Sequence, residues 1–429
     1  MYAKRWRSWQ YGLALAGAAL LVAACGGAGD EGDTGGGQAG EPASGVGFDG
    51  TTIKLGVLSP LSGPIAVIGQ PLTEGNKVWF DALNAKGGVA GKYKVELVQE
   101  DTQYKPDVTV QQYNKVKGEV VAFTQVLGTA PTLAVLPLLD SDNMLAAPAS
   151  LDAFWVREQH LLPVGAPYQI QAINSMQHYL TEGGGNRQSR ICTMVQDDVY
   201  GEAGQQGVDF AAEQLGFTVA NTQKFKVGTE NYAGQIGALA AARCEMVFLT
   251  ATPTDAGKIW GTAAQARFAP KWYAQSPSFV NALAKSAVAP YLRQYVTIAA
   301  EGTEWGDTSV PGMKQMIDDV EKYAPQQQPD YYFAFGYNQA RAMTAVLEKA
   351  VENGDLSRDG VMKASEQIGT LSFQGLTGDY TYGPAAKRNP PRSTTLFSVD
   401  PDKPFGLATL KYNFTSDAAK QFQFEKANP

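Results

Sequence analysis

The sequence predicts an α/β protein built from two doubly wound, mostly parallel-sheet lobes. Two observations carry that expectation. From residue 51 onward, short apolar runs alternate with stretches of helical spacing, and a second series of the same kind begins near residue 167. Such βαβα alternation implies parallel strands with helices covering both faces of the sheet.

The first series opens with a strand over residues 52–58. A helix follows over residues 71–86, its apolar positions marked by Leu72, Val78, Trp79 and Leu83. Residues 93–99 alternate as a strand, and residues 106–117 are helical, with Pro106 at a permitted early position. Residues 120–127 and 144–147 are further apolar runs flanking a helical 133–139. The second series reads as helix 168–180, strand 190–195, helix 201–215, strand 217–225, helix 232–243 and strand 246–250. Helix 255–267, strands 271–274 and 295–299, and helices 313–323 and 331–352 complete it. Gly183-Gly184-Gly185 marks a surface turn. Asn353-Gly354-Asp355 closes the long helix, and Ser357 is placed to cap the next. Each series holds about five strands. Ligands of open parallel sheets lie beyond the carboxyl ends of the strands, so two facing lobes enclose a cleft there.

The first 50 residues have a different character. Lys4, Arg5 and Arg7 precede an apolar run over residues 11–24, too short for an ordinary bilayer span, which reads as a secretory signal. The ending Leu21-Val22-Ala23-Ala24-Cys25, with Gly26 after it, resembles the lipobox of bacterial lipoproteins. That resemblance implies a signal peptide over residues 1–24 and lipidation of Cys25. Residues 25–50, rich in Gly, Ala, Asp and Glu, are expected to form a flexible acidic tether.

The formal charge is −7, and loss of the leader would remove three more positive charges. An acidic chain without a basic block argues against nucleic acid as partner. Besides Cys25 there are Cys192 and Cys244, each at the start of an apolar run. If those runs are neighbouring parallel strands the cysteines can bridge; otherwise they pack as two small buried thiols. The two histidines, His160 and His178, lack partners at metal-ligand spacing. They read as surface or structural residues, with no metal and no cofactor expected. No nucleophile elbow, Walker loop or dinucleotide fingerprint occurs, and Ser59 and Ser62 have no candidate base nearby. An enzyme is not expected.

Five strand-end motifs, in order, resemble the type I solute-binding proteins of ABC importers, in particular the branched-chain amino-acid-binding group. They are Leu58-Ser59-Pro60-Leu61-Ser62-Gly63-Pro64 with Gly69, Glu100-Asp101 before Pro106, and Leu127-Gly128-Thr129-Ala130-Pro131-Thr132. Ala147-Pro148-Ala149-Ser150 and Asp197-Asp198-Val199-Tyr200-Gly201 complete the set. The resemblance spans about residues 52–410. It implies three hinge crossings, near 165–168, 300–304 and 390–393. Lobe 1 would then be residues 51–166 with 303–391, and lobe 2 residues 167–302 with 392–429.

By the same resemblance, Thr129 and Ser150 hold a ligand carboxylate beside free backbone N–H groups, with Thr132 a candidate helix cap. Ser62, Ile68 and Ala130 are expected around them on lobe 1, and Tyr200, Thr252 and Ser276 opposite. Trp155 and Phe279 are candidates for the apolar lining. Where amino-acid binders carry a glutamate for the ammonium, this chain has Pro277. Asp152, Asp198 and Asp255 are substitutes for that acid or are solvated and capping residues. The expected ligand is a small amino-acid-like or organic carboxylate, delivered by a monomeric, membrane-anchored receptor to importer permease subunits. The alternatives are a sensory receptor of the same fold and, with less behind it, an exported hydrolase.

Overall fold

The computed structural model describes residues 41–327 and 329–426. The expected signal peptide and lipidation site, and most of the expected tether, fall outside the described residues. The end of the expected tether is folded instead. Phe48 is buried, sits edge-on to Tyr93 with centroids 5.1 Å apart, and forms an antiparallel bridge with Ile53. One bulky apolar side chain is enough to bind this segment to the first core.

The first sheet has the order β2-β1-β3-β4 and is wholly parallel. Its strands are β1 (Thr52–Ser59), β2 (Lys94–Asp101), β3 (Ala122–Leu127) and β4 (Ala146–Ala149). They are separated by α1 (Ala66–Ala85), α2 (Pro106–Val116) and α3 (Thr129–Ser141). Four strands form it, one fewer than expected. Helix α1 starts at Ala66, five residues earlier than expected, and carries Pro71 inside it at the cost of the hydrogen bond to the carbonyl four residues back. That carbonyl belongs to Val67, which is exposed and can be hydrated instead.

The chain then enters a second layered unit. There α4 (Tyr168–Thr181), β5 (Ile191–Gln196), α5 (Val199–Leu215), β6 (Val219–Phe225), α6 (Ala233–Ala241) and β7 (Met246–Thr250) succeed one another. After α7 (Pro253–Gln265) and β8 (Lys271–Gln275) come two short helices, α8 (Asn281–Ala284) and α9 (Ala289–Tyr295), and β9 (Val296–Ala300). The path returns to the first sheet with α10 (Pro311–Tyr323), α11 (Tyr331–Glu352), α12 (Arg358–Ser365) and a small hairpin, β10 (Thr370–Leu371) and β11 (Tyr380–Thr381). It crosses again to end in β12 (Thr394–Val399), β13 (Leu407–Phe414) and α13 (Asp417–Gln421).

The second sheet has the order β13-β12-β9-β8-β7-β5-β6. Strands β5 to β9 are parallel, while β12 and β13 are antiparallel additions that the strand pattern had not suggested. Two lobes joined by three crossings are therefore present, as expected.

Helix α11 matches its expected bounds and closes one face of the first sheet against α1. The two backbones meet at glycines. A Cβ on Gly336 would lie 1.9 Å from the Leu72 carbonyl oxygen, and one on Gly75 would lie 2.0 Å from that of Phe333. Asp330 caps α11 by accepting from the Phe333 N–H at 2.9 Å. These contacts fix where the start of α11 points, which is into the cleft. In the second lobe Cys192 and Cys244 are joined in a disulfide, with Cα atoms 5.8 Å apart. It ties the amino-terminal ends of β5 and β7, away from the cleft.

Candidate functional site

A cleft lies where the carboxyl ends of both sheets face each other. Five of its residues lie within four positions of a strand's carboxyl end: Thr129 after β3, Ser150 after β4, Tyr200 after β5, Thr252 after β7 and Ser276 after β8. Ile68 lines it from α1. The ends of the strands thus bring together six of the residues expected from sequence.

Four others lie outside the lining, each for a visible reason. Ser62 is exposed and donates to Asp101 Oδ2 at 2.5 Å, while Asp101 Oδ1 accepts from Leu61 N–H at 2.9 Å, so this loop is folded back on its own sheet. Ala130, one residue past Thr129, is turned aside by the first turn of α3. Trp155 is fully buried in the first-lobe core. Phe279 packs in the core of the second lobe and meets the cleft only through its backbone carbonyl, which accepts from Tyr332 Oη at 2.9 Å.

The polar chemistry sits on the first lobe. Gly128, at φ +105°, turns the chain from β3 into α3, and a Cβ there would lie 2.6 Å from the Tyr104 ring. The turn lets Thr129 occupy the first helical position. Thr132 does not cap: its hydroxyl donates to the Val126 carbonyl at 3.3 Å. Early N–H groups of a helix have no intrahelical acceptor, and Pro131 has no N–H at all, leaving those of Thr129 and Ala130 as available donors.

The Thr129 hydroxyl is buried without a partner. Ser150 Oγ accepts from Trp155 Nε1 at 3.0 Å, which leaves the serine proton to be donated elsewhere. Trp155 thereby orients a cleft residue from behind. The hydroxyls of Ser276, across the cleft, and of Tyr331, at the start of α11 on the first lobe, are also buried and unpartnered.

Apart from Thr252, whose hydroxyl donates to Asp255, the rest of the lining is apolar or aromatic. Tyr104, Tyr168, Tyr331, Tyr332 and Phe335 contribute large surfaces that sequence reasoning missed. Tyr168 and Tyr200 rings lie 4.9 Å apart, and both belong to the apolar cluster that contains Ile68, Leu72 and Leu127. Burial pushes the phenols of Tyr104, Tyr168, Tyr200 and Tyr332 well up, so they stay neutral.

Among the described residues no charged side chain lines the cleft. The three acids weighed as ammonium partners have other work. Asp198 caps α5, accepting from Tyr200 and Gly201 N–H groups at 3.0 and 3.1 Å and from Gln196 Nε2. Asp255 accepts from Tyr232 Oη at 2.7 Å, from Gly228 N–H, and from the Thr252 hydroxyl at 3.2 Å. Asp152 accepts from Phe154 N–H and Gln169 Nε2, and burial raises its carboxyl to about 6.

Other chemistry is structural. His178 Nδ1 lies 2.8 Å from Tyr273 Oη and His160 Nε2 lies 3.2 Å from Asn143 Oδ1, so both histidines are buried structural groups. Ser59 Oγ donates to the Gly69 carbonyl and accepts from Gln125 Nε2, with no base beside it. Among the described residues no group of His, Cys, Asp and Glu is placed to hold a metal, and no helix is long and apolar enough to cross a membrane.

A family model described as periplasmic binding protein matches residues 52–404. A Leu/Ile/Val-binding protein from Rhizobium johnstonii is 34% identical over 88 residues, 20% of this chain and 23% of that protein. The chain therefore spans less than a quarter of that curated relative. Solved structures align far more widely. The fatty acid ABC transporter substrate-binding protein from Thermomonospora curvata aligns over 90% of this chain and 98% of its own, with TM-score 0.83 and 25% identity. A branched chain amino acid ABC transporter from Thermus thermophilus with bound valine covers 86% and 98%, with TM-score 0.76 and 15% identity. At that identity the second likeness speaks to the fold alone.

Proposed function

The chain belongs to the periplasmic binding protein family, and on that premise we propose that it is the solute receptor of an ABC importer for small carboxylates with an apolar body. One observation carries the reading. The cleft pairs buried hydroxyl donors, Thr129 and Ser150, at a helix N-terminus with walls that, among the described residues, hold no charged side chain.

A carboxylate there gains charge-assisted hydrogen bonds from the hydroxyls and from the first N–H groups of α3. An α-amino acid would bring an ammonium into the same space, and a buried unpaired charge costs several kcal/mol. The apolar walls then take a hydrocarbon or aromatic body, at roughly 25 cal/mol per Å² removed from water. The fatty-acid-transporter relative from Thermomonospora curvata is named for a ligand of this class.

The solute bridges the two lobes and favours their closed arrangement through contacts made only when they meet. The crossings near residues 166, 302 and 391 absorb the rotation. Permease subunits would read the closed rim. The receptor acts as a monomer outside the cytoplasm, tethered through lipid on Cys25.

Calorimetric titration with hexanoate, hexanamide and leucine tests the ligand class. Hexanoate should bind, with the other two at least tenfold weaker. Leucine binding as tightly as hexanoate would sink the reading. Membrane attachment that survives Cys25→Ser would remove the lipid anchor from it.

A further inference from the structure

A second, narrow cavity lies behind the first at the hinge. Its walls come from α10 and α11, from the segment after β9, and from β12 with the turn after it. Met313, Leu376, Phe397 and Leu407 line it, with Trp305 stacked on Phe405 at 4.5 Å between centroids. Its acids are engaged: Glu304 pairs with Lys403 at 2.5 Å, and Glu301 accepts from the Ala166 N–H and the Thr377 hydroxyl. What remains is an apolar surface broken by Thr303, Thr377 and Asn338, whose buried amide oxygen has no partner.

Two residues, Tyr331 and Phe335, line both cavities. They sit one helical turn apart on α11 and form the partition. The neighbouring Tyr332 is held by the carbonyls of Phe279 and Ser276, at 2.9 and 3.4 Å. Tyr331 has no such tie to a carbonyl: its hydroxyl faces only the Ser276 hydroxyl, so turning its ring aside gives up that neighbour alone.

We propose that the second cavity receives the far end of a straight-chain carboxylate whose head lies at Thr129 and Ser150, with the Tyr331 ring as the movable partition. This rests on the carboxylate reading above and sharpens it to medium-chain acids.

Affinity should then rise about fourfold for each CH₂ added beyond hexanoate, the increment expected for burying one methylene. Ala334 lines only the second cavity. Ala334→Phe should abolish that rise while leaving hexanoate binding unchanged. A measurement without a filled cavity uses dodecanoate brominated at its terminal carbon, which should quench an emission component that Trp305→Phe removes. Dodecanoate brominated at carbon 2 should leave that component intact.

Affinity that stays flat beyond hexanoate, a length dependence untouched by Ala334→Phe, or equal quenching of Trp305 by both bromoacids would overturn this inference and leave the carboxylate reading standing. Wild-type protein that binds no acid of any length would overturn both.

Discussion

The two banks of the cleft are built alike and equipped differently. On each, residues following parallel strands reach the solute space. The first-lobe bank presents a helix start with free N–H groups and two hydroxyls ready to donate. The second-lobe bank has acids close by, but Asp198 and Asp255 are consumed by helix capping and by Tyr232, Gly228 and Thr252. Proximity of a carboxylate to a cleft therefore says little about charge inside it. The hydrogen bonds already made decide which groups remain for a solute. Here they leave one bank anion-seeking and the other neutral.

Breaking the first bank should have the largest effect. Thr129→Ala and Ser150→Ala should each cost about 1–3 kcal/mol of hexanoate binding, since each removes a donor to a charged acceptor. Calorimetry on the double variant should show a loss of about thirtyfold or more, the sum of two such losses. Binding as in wild type would mean that the head group lies elsewhere.

The second bank rests on a sheet pinned by Cys192–Cys244, at the end of the strands away from the solute. Replacing both cysteines with serine should lower unfolding stability by about 2–5 kcal/mol. Hexanoate affinity of the folded fraction should not change, so weakened binding would show that the bank depends on its distant end.

Equipping the second bank with charge sharpens the contrast. Pro277→Glu should weaken hexanoate by about tenfold, as expected for like charges several ångströms apart at a partly screened site. Leucine should gain affinity in the same variant. A smaller change is expected from Tyr200→Phe, whose hydroxyl makes only a 3.4 Å contact with the Ala251 carbonyl. About 0.5 kcal/mol or less should be lost, within the low end for a hydrogen bond.

Between the banks, Glu301 gives the hinge a pH dependence. Burial raises its carboxyl to about 7 from an ordinary 4.5. A carboxyl that folding makes harder to ionise stabilises the fold fully below pH 4.5 and loses that contribution as pH rises through 7. Asp152 and Asp330, both raised to about 6, act in the same direction. Urea midpoints should fall between pH 5 and 8, and Glu301→Gln should reduce the slope. An unchanged slope would mean that Glu301 is not the titrating group.

Much of the scaffold was legible because apolar runs of four to eight residues separated by helical spacing leave few arrangements. The residues close after strands, Thr129, Ser150, Tyr200, Thr252 and Ser276, were legible for the same reason. Tyr331, Tyr332 and Phe335 were not. They come from a helix about 180 residues beyond Ser150, and aromatic residues at helical spacing look like ordinary core. The clue was local: Asp330 as a cap followed at once by two tyrosines. Strands β12 and β13 were missed because β12 is buried almost throughout, while β13, at the sheet edge, is largely exposed. Neither gives a clean alternation.

The Tyr332 bond to the Phe279 carbonyl joins the lobes without any solute atom taking part. A receptor carrying such a latch has its shut arrangement favoured by a bond of its own as well as by the solute. Its measured dissociation constant then reports the strength of the latch as well as the fit of the guest. Substitutions outside the pocket that loosen or tighten this clasp would retune uptake while leaving selectivity as it was.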